Sequence, residues 1–149
     1  MEIGLRTPTF DGSWVRFGHD NRNSGFDPET AGPASGKVRW QFDTGSDTTL
    51  CSPVVSDGTV YSGSTGEPGD LFALDARTGE KVWQFAGNDA FWTTPTITEK
   101  KLFAGTFGRR FYAVERESGN ELWSVDIGHR IKDSSAVIFD DDLVIFGTL

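Results

Sequence analysis

Short apolar runs of three to five residues alternate with turn-forming residues along most of this chain. One series of runs reads Val38–Phe42, Ser52–Val55, Thr59–Tyr61 and Leu71–Asp75. The runs are rich in β-branched and aromatic residues and are bounded by Gly, Asp, Ser and Pro, a pattern typical of β-strands. No window carries apolar residues at the spacing of an amphipathic helix. The pattern therefore predicts an almost entirely β protein.

The same series of runs occurs three times, which indicates a repeat architecture. Trp40, Trp83 and Trp123 mark the first run of each copy, at intervals of 43 and 40 residues. Gly79 and Gly119 keep an interval of 40 residues. The runs of the second copy are Lys81–Phe85, Thr94–Ile97, Lys101–Phe103 and Phe111–Glu115, and those of the third are Glu121–Val125, Ser135–Ile138 and Leu143–Ile145.

One turn in the first copy is predicted in detail. Asp57–Gly58 separates two apolar runs, and an Asp-Gly pair at such a place favours a two-residue hairpin with positive φ at both central residues. The second and third copies have Glu99–Lys100 and Asp140–Asp141 there. Their turns are expected to be looser or to have a different shape.

Four strands within each unit of ~40 residues indicate antiparallel meanders that stack face to face to bury both sides of each sheet. Stacking around an axis gives a β-propeller and stacking along a line gives a β-solenoid. The length of the repeat favours the propeller, because solenoid repeats are usually shorter. A chain of 149 residues can form an incomplete ring of about three blades. We assign residues 1–37 to an N-terminal lead-in and residues 38–149 to a partial propeller, with repeats at about 38–80, 81–120 and 121–149.

Two segments carry a more specific motif. Ala73–Trp83 reads ALDARTGEKVW, and Ala113–Trp123 reads AVERESGNELW. They resemble the tryptophan-docking motif of the quinoprotein-like (PQQ-repeat) β-propeller family, and residues 14–25 resemble the lead-in that often precedes its first strand. Within this family, the chain is more similar to the propeller lipoprotein that helps assemble outer-membrane barrels than to the dehydrogenases.

The resemblance implies that the motif is a structural girdle that ties each blade to the next. Gly79 supplies a tight turn, the Asp75 carboxylate can accept hydrogen bonds from the backbone of that turn, and Trp83 can cover the backbone of the adjacent copy. The residues to which we assign this role are Ala73, Asp75, Thr78, Gly79 and Trp83 in one copy and Ala113, Glu115, Ser118, Gly119 and Trp123 in the next.

The charge of the chain narrows the set of partners. Its formal net charge of −8 repels phosphate backbones, so nucleic-acid binding is not expected. Abundant Asp with scarce Lys also fits a salt-adapted, halophilic source. No apolar run approaches the ~20 residues of a membrane-spanning helix, and the N-terminus lacks the apolar core of a signal peptide. We therefore expect a protein that is either cytoplasmic or exported by a leader outside this sequence.

Residues with catalytic or metal-binding chemistry are sparse. Some members of the quinoprotein superfamily bind pyrroloquinoline quinone (PQQ), with adjacent cysteines and a calcium site, but Cys51 is the only cysteine here and is expected to be buried. His19 is more simply interpreted as part of an Asx-rich loop that pins the N-terminus to the sheet, and His129 as part of a solvated basic loop, than as metal-binding or acid–base groups. Asp140–Asp142 lacks the spacing of a calcium loop. We expect no catalytic residue, cofactor or metal site.

Loops that carry aromatic and basic residues are the best candidates for a partner surface, because such residues dominate binding hot spots. The candidates are Trp92, Arg109, Arg110 and His129. The expected function is a non-catalytic propeller scaffold that binds a protein or ligand. The alternatives are a fragment of a PQQ-dependent alcohol or sugar dehydrogenase, and a sensor or surface domain of a longer protein.

The last residues, Gly147–Leu149, directly follow a predicted strand. An unpaired strand edge tends to associate with other chains. We therefore expect either that the natural protein continues beyond Leu149 or that chains self-associate through the open edges of the propeller.

Overall fold

The structure, a computed structural model, describes Phe17 and residues 35–47, 51–139 and 143–149. Apart from Phe17, the lead-in predicted around Trp14 and His19 lies outside the described residues, and so does the Asp140–Asp142 turn. The described residues form β-strands and turns, and they include no helix long and apolar enough to cross a membrane.

The strands form three antiparallel sheets that follow one another along the chain. Sheet 1 comprises β1 (Val54–Ser56), β2 (Thr59–Gly63), β3 (Asp70–Asp75) and β4 (Lys81–Ala86), in that spatial order. Sheet 2 comprises β5 (Thr96–Ile97), β6 (Lys101–Gly105), β7 (Arg110–Glu115) and β8 (Glu121–Asp126), again in chain order. Sheet 3 comprises β9 (Val137–Phe139) and β10 (Leu143–Ile145). The prediction of an all-β fold built from four-stranded antiparallel propeller blades is confirmed.

Local geometry repeats between the first two sheets. Each has a register shift between its third and fourth strands, after Ala73 in sheet 1 and after Ala113 in sheet 2. In the β1–β2 turn, φ is 50° at Asp57 and 72° at Gly58, as an Asp-Gly hairpin requires. That prediction is confirmed.

The sequence repeat and the sheets are offset by one strand. Trp83 lies in the first run of the second sequence copy, yet its strand, β4, pairs with β3 and is the edge strand of sheet 1. The edge strand of each complete sheet therefore belongs, in sequence, to the following copy.

Apolar side chains fill the space between successive sheets. Along β6 and β7, alternate residues point to opposite sides, so that Leu102 and Tyr112 pack towards sheet 1 while Phe103 and Phe111 pack towards sheet 3. Sheet 3 has one covered and one exposed face. Its exposed apolar residues are Val137, Phe139, Leu143 and Ile145.

Candidate functional site

The junction between sheets 1 and 2 is formed by an indole ring that lies over a turn. Trp83 Nε1 on β4 donates a hydrogen bond of 3.0 Å to the carbonyl oxygen of Arg116, in the β7–β8 turn. The ring covers Gly119, where a Cβ would lie 2.7 Å from Trp83 Cδ2. Gly119 also has φ of +77°, a conformation that glycine adopts without a steric penalty. Only glycine therefore fits beneath this ring.

The same geometry occurs one junction earlier. Trp40 Nε1 donates a hydrogen bond of 2.9 Å to the carbonyl oxygen of Ala76, and a Cβ at Gly79 would lie 2.6 Å from Trp40 Cδ2. The φ of Gly79 is likewise +77°. Trp40 belongs to residues 35–47, which form no strand. The segment nonetheless lies against sheet 1 as β4 lies against sheet 2.

The remaining residues of the proposed docking motif stabilise the turns or lie opposite the indole rings. Asp75 Oδ1 accepts hydrogen bonds from the backbone nitrogens of Arg77 and Thr78, at 2.9 and 2.7 Å. These bonds lower the pKa of Asp75, and the bond from Thr78 has the largest effect. In the second turn the Glu115 carboxylate accepts from the Ser118 hydroxyl. Ala73 and Ala113 are fully buried and pair with Trp83 and Trp123 across their sheets.

Trp123 differs from the other two motif tryptophans. It lies on β8, the edge strand of sheet 2, and is 41% exposed. Its ring contacts Phe103 and Phe111, with centroids 6.0 and 6.3 Å away. The structure therefore brings two of the three tryptophans, but not Trp123, onto a glycine turn.

Arg116 is a bridging residue that the sequence analysis did not single out. Its guanidinium donates to Tyr61 Oη at 3.0 Å, to the Thr98 carbonyl oxygen at 3.1 Å and to the carboxylate of Asp57. The hydrogen bond from Arg116 lowers the pKa of Asp57. One side chain thus links the β1–β2 turn of sheet 1 to the β5–β6 turn of sheet 2, beside the carbonyl that receives Trp83 Nε1.

A cleft of about 420 Å³ opens beside this bridge. Tyr61 and Trp83 supply aromatic walls, and Glu99, Glu117 and Lys100 lie at its margin. The cleft is lined by charges of both signs and lies beside the ion pair between Arg116 and Asp57. Its lining residues come from both sheets, so the cleft is part of the junction between them.

A second repeated contact uses three different side chains. Cys51 Sγ accepts a hydrogen bond of 3.0 Å from the backbone nitrogen of Gly63. Thr93 Oγ1 accepts from Gly105 at 3.1 Å, and Ser134 Oγ accepts from Gly147 at 2.9 Å. Burial raises the pKa of Cys51 to about 11. The thiol is therefore an uncharged structural acceptor at neutral pH, and not a nucleophile.

A backbone contact repeats at all three junctions on one end of the sheets, which we call the connection face. This end carries the β2–β3 and β6–β7 loops and the segments that connect one sheet to the next. The repeated bonds run from Thr65 N to Asp47 O at 2.7 Å, from Phe107 N to Ala90 O at 2.9 Å and from Leu149 N to Arg130 O at 2.9 Å.

On the connection face, two aromatic rings and two cations form a row that we call the cation–aromatic ladder. The ring centroids of Trp92 and Phe107 are 4.6 Å apart. Lys132 Nζ lies 4.7 Å from the centre of the Trp92 ring, and Arg130 Cζ lies 4.4 Å from the centre of the Phe107 ring. The ladder combines residues from the β4–β5 connection, the β6–β7 loop and the β8–β9 connection.

The candidate partner residues occupy different parts of this face. Trp92 lies in the ladder. His129 is exposed and directly precedes Arg130 of the ladder in the sequence. Arg109 lies 3.9 Å from the carboxylate of Asp126, and Arg110 Nη1 contacts Ser124 Oγ at 3.4 Å. The structure thus joins Trp92 to the cations of the β8–β9 connection, whereas these contacts direct both arginines towards β8.

Within the described residues, no three side chains of His, Cys, Asp or Glu are grouped so that they could hold a metal ion.

Comparison with known proteins identifies the family. A family model described as outer membrane protein assembly factor BamB matches residues 26–148. This chain belongs to that family of PQQ-repeat β-propellers. Among solved structures, BamB from Moraxella catarrhalis matches 76% of this chain and 34% of its own, with a TM-score of 0.62 and 21% identity. Quinohemoprotein alcohol dehydrogenase from Comamonas testosteroni matches 86% of this chain and 22% of its own, with a TM-score of 0.71 and 19% identity. At these identities the likeness shows the fold alone.

Curated relatives of this family member include dehydrogenases. Polyvinylalcohol dehydrogenase of Sphingopyxis sp. is 31% identical over 101 residues, which cover 59% of this chain and 15% of the relative. The 1-butanol dehydrogenase (cytochrome c) of Thauera butanivorans is 26% identical over 137 residues, which cover 80% of this chain and 20% of the relative. The chain therefore spans a fifth or less of the length of these two relatives.

Proposed function

We propose that this chain is part of a non-catalytic propeller that binds a protein through its connection face. The observation that supports this most is the cation–aromatic ladder, because Trp and Arg are enriched at the centres of protein interfaces. Trp92 and Phe107 are only partly buried, and Arg130 is exposed. The surface therefore offers aromatic area and charge together.

The rest of the molecule suits a scaffold. The Trp83 and Trp40 contacts and the Arg116 bridge tie sheet 1 to the elements on both of its sides. Rigid junctions reduce the entropy that is lost when loops on different blades bind one partner. In this proposal, the tryptophan-docking residues hold the blades together and take no part in recognition.

A fragment of a PQQ-dependent dehydrogenase is the second candidate, and the names of the curated relatives favour it. The residues of this chain do not fit the cofactor well. Its single cysteine cannot supply an adjacent pair, and Cys51 is buried and hydrogen-bonded to Gly63.

Two measurements on the full chain test the proposal. Saturable PQQ-dependent dye reduction with 1-butanol in the presence of Ca²⁺ would overturn it, whereas the absence of turnover is expected both of a scaffold and of a short dehydrogenase fragment, so the support must come from the second measurement. Peptides selected against the chain from an unbiased display library should mostly lose binding to the variant Trp92→Ala. They should retain binding to Val82→Ala, which removes an exposed apolar side chain from β4. Selected peptides that are indifferent to Trp92→Ala would contradict a binding role for the connection face.

A further inference from the structure

We propose that the cation–aromatic ladder recognises an acidic segment of a partner protein. The proposal rests on the protein-binding function above and names the chemical class of the segment that is bound. It is supported by the arrangement of charge on the connection face. That arrangement is the same whether the parent protein is a scaffold or a dehydrogenase.

The order of the ladder is Lys132, Trp92, Phe107, Arg130. Each cation lies over one ring, at 4.7 and 4.4 Å from the ring centres, and the rings contact each other at 4.6 Å. Cation–π contacts of this length hold a cation in place without neutralising it. The two charges are therefore positioned at the two ends of an aromatic platform.

Arg130 is the cation most available to a partner. It is exposed, and it forms no ion pair with any residue that the structure describes. Its Cζ lies 4.4 Å from the centre of the Phe107 ring, and an exposed guanidinium can bind a carboxylate through two parallel hydrogen bonds. Lys132 lies 4.0 Å from the exposed carboxylate of Asp133. An exposed contact of this kind is weak, so a partner carboxylate can compete for the ammonium group.

Trp92 contacts another ring and a cation, and its ring nitrogen makes no hydrogen bond with a described residue. Its Nε1 is buried and has no acceptor among the residues described. The ring instead contacts the Phe107 ring and the Lys132 ammonium group. Binding at either cation should consequently change the surroundings of Trp92.

The charge of the whole chain makes the ladder distinctive. Arg130 and Lys132 lie in a protein whose net charge is −8. Long-range repulsion disfavours a polyphosphate or an anionic membrane, because such partners also face the surrounding acidic surface. A short acidic peptide that contains an aromatic residue can satisfy the two cations and cover the two rings.

The test uses three synthetic 12-residue peptides that share two Phe residues. They carry four Glu, four Gln or four Lys at the same places. Binding to the full chain is measured by fluorescence anisotropy at two salt concentrations. The acidic peptide should bind at least about tenfold more tightly than the Gln peptide, and more weakly at high salt. The double variant Arg130→Ala/Lys132→Ala should lose about tenfold or more in affinity for it.

Lys37→Ala/Arg39→Ala is the matched control, because it removes two positive charges from exposed positions outside the ladder. It should change affinity by less than about twofold. Arg130→Lys should bind the acidic peptide less tightly than the parent chain does, because an ammonium group cannot form the two parallel bonds. Equal thermal midpoints for all variants exclude unfolding as the cause.

Three results would overturn the proposal: no preference for the Glu peptide, equal losses in Lys37→Ala/Arg39→Ala and in Arg130→Ala/Lys132→Ala, or ladder-dependent binding of DNA or anionic vesicles without binding of the acidic peptide. Library-selected peptides that need Trp92 but carry no acidic residues would overturn the acidic class and leave protein binding standing. PQQ-dependent turnover would overturn the scaffold function instead.

Discussion

Gly119→Ala is a direct test of whether an indole ring over a glycine holds the blades together. The added Cβ would lie 2.7 Å from Trp83 Cδ2, closer than two carbon atoms can approach. The ring cannot retreat without losing its 3.0 Å hydrogen bond to the Arg116 carbonyl oxygen. The backbone cannot relax easily either, because φ at Gly119 is +77°.

Two separate costs follow. Holding alanine at this φ costs about 1–2 kcal/mol, and forcing a methyl group into a filled space costs about 1–3 kcal/mol more. Gly119→Ala should therefore lower the free energy of unfolding by about 2–5 kcal/mol. Gly128→Ala is the matched control, because Gly128 has φ of +76° and nothing lies within 4 Å of its Cβ position. It should incur only the first cost, about 1–2 kcal/mol.

The assay is urea unfolding of the full chain, followed by circular dichroism and by tryptophan fluorescence. Gly79→Ala, beneath Trp40, should resemble Gly119→Ala, because a Cβ there would lie 2.6 Å from the ring. If Gly119→Ala and Gly128→Ala have the same effect, the contact with the ring contributes nothing.

Other features of the junctions and edges give further predictions. In chemical unfolding, Arg116→Ala should lower the free energy of unfolding by about 1 kcal/mol more at pH 6 than at pH 2.5. The reason is that a carboxyl whose pKa is lowered, here Asp57, stabilises the fold above its unfolded pKa of about 3.9 and stops doing so as the pH falls through its folded pKa. An equal cost at both pH values would refute the ion pair. Cys51→Thr should leave the thermal midpoint nearly unchanged, whereas Cys51→Val, which leaves Gly63 N unpaired, should cost about 1–3 kcal/mol; equal effects would refute the hydrogen bond. In the folded chain, Cys51 should react slowly with a thiol reagent at pH 8, because its pKa is about 11, and rapid reaction would contradict its burial. The chain should self-associate through the exposed apolar face of sheet 3, and Phe139→Lys, on that face, should reduce the mass measured by light scattering. A monomer at high concentration would argue against this.

Features that depend on neighbours in the sequence were predictable. The Asp57–Gly58 turn follows from two adjacent residues, and the period follows from the spacing of recurring tryptophans. Contacts of Arg116 were not predictable, because its partner Asp57 lies 59 residues earlier and in another sheet. The equivalence of Cys51, Thr93 and Ser134 was hidden for another reason. What repeats there is a hydrogen-bond acceptor, and it is a sulfur atom in Cys51 and a hydroxyl oxygen in Thr93 and Ser134.

The ladder also shows why one junction can gain a binding surface without loss of the fold. The repeated contact on the connection face joins backbone atoms only, with acceptor oxygens at Asp47, Ala90 and Arg130. A backbone bond is indifferent to the side chain that its residue carries, so an acid, a methyl group and a guanidinium all occur at this place. The side chains at the donor positions vary in the same way, and the donor residue Phe107 of one junction meets Arg130, the acceptor residue of the next. Substitutions at Arg130 are therefore expected to alter recognition while the geometry of the blades persists.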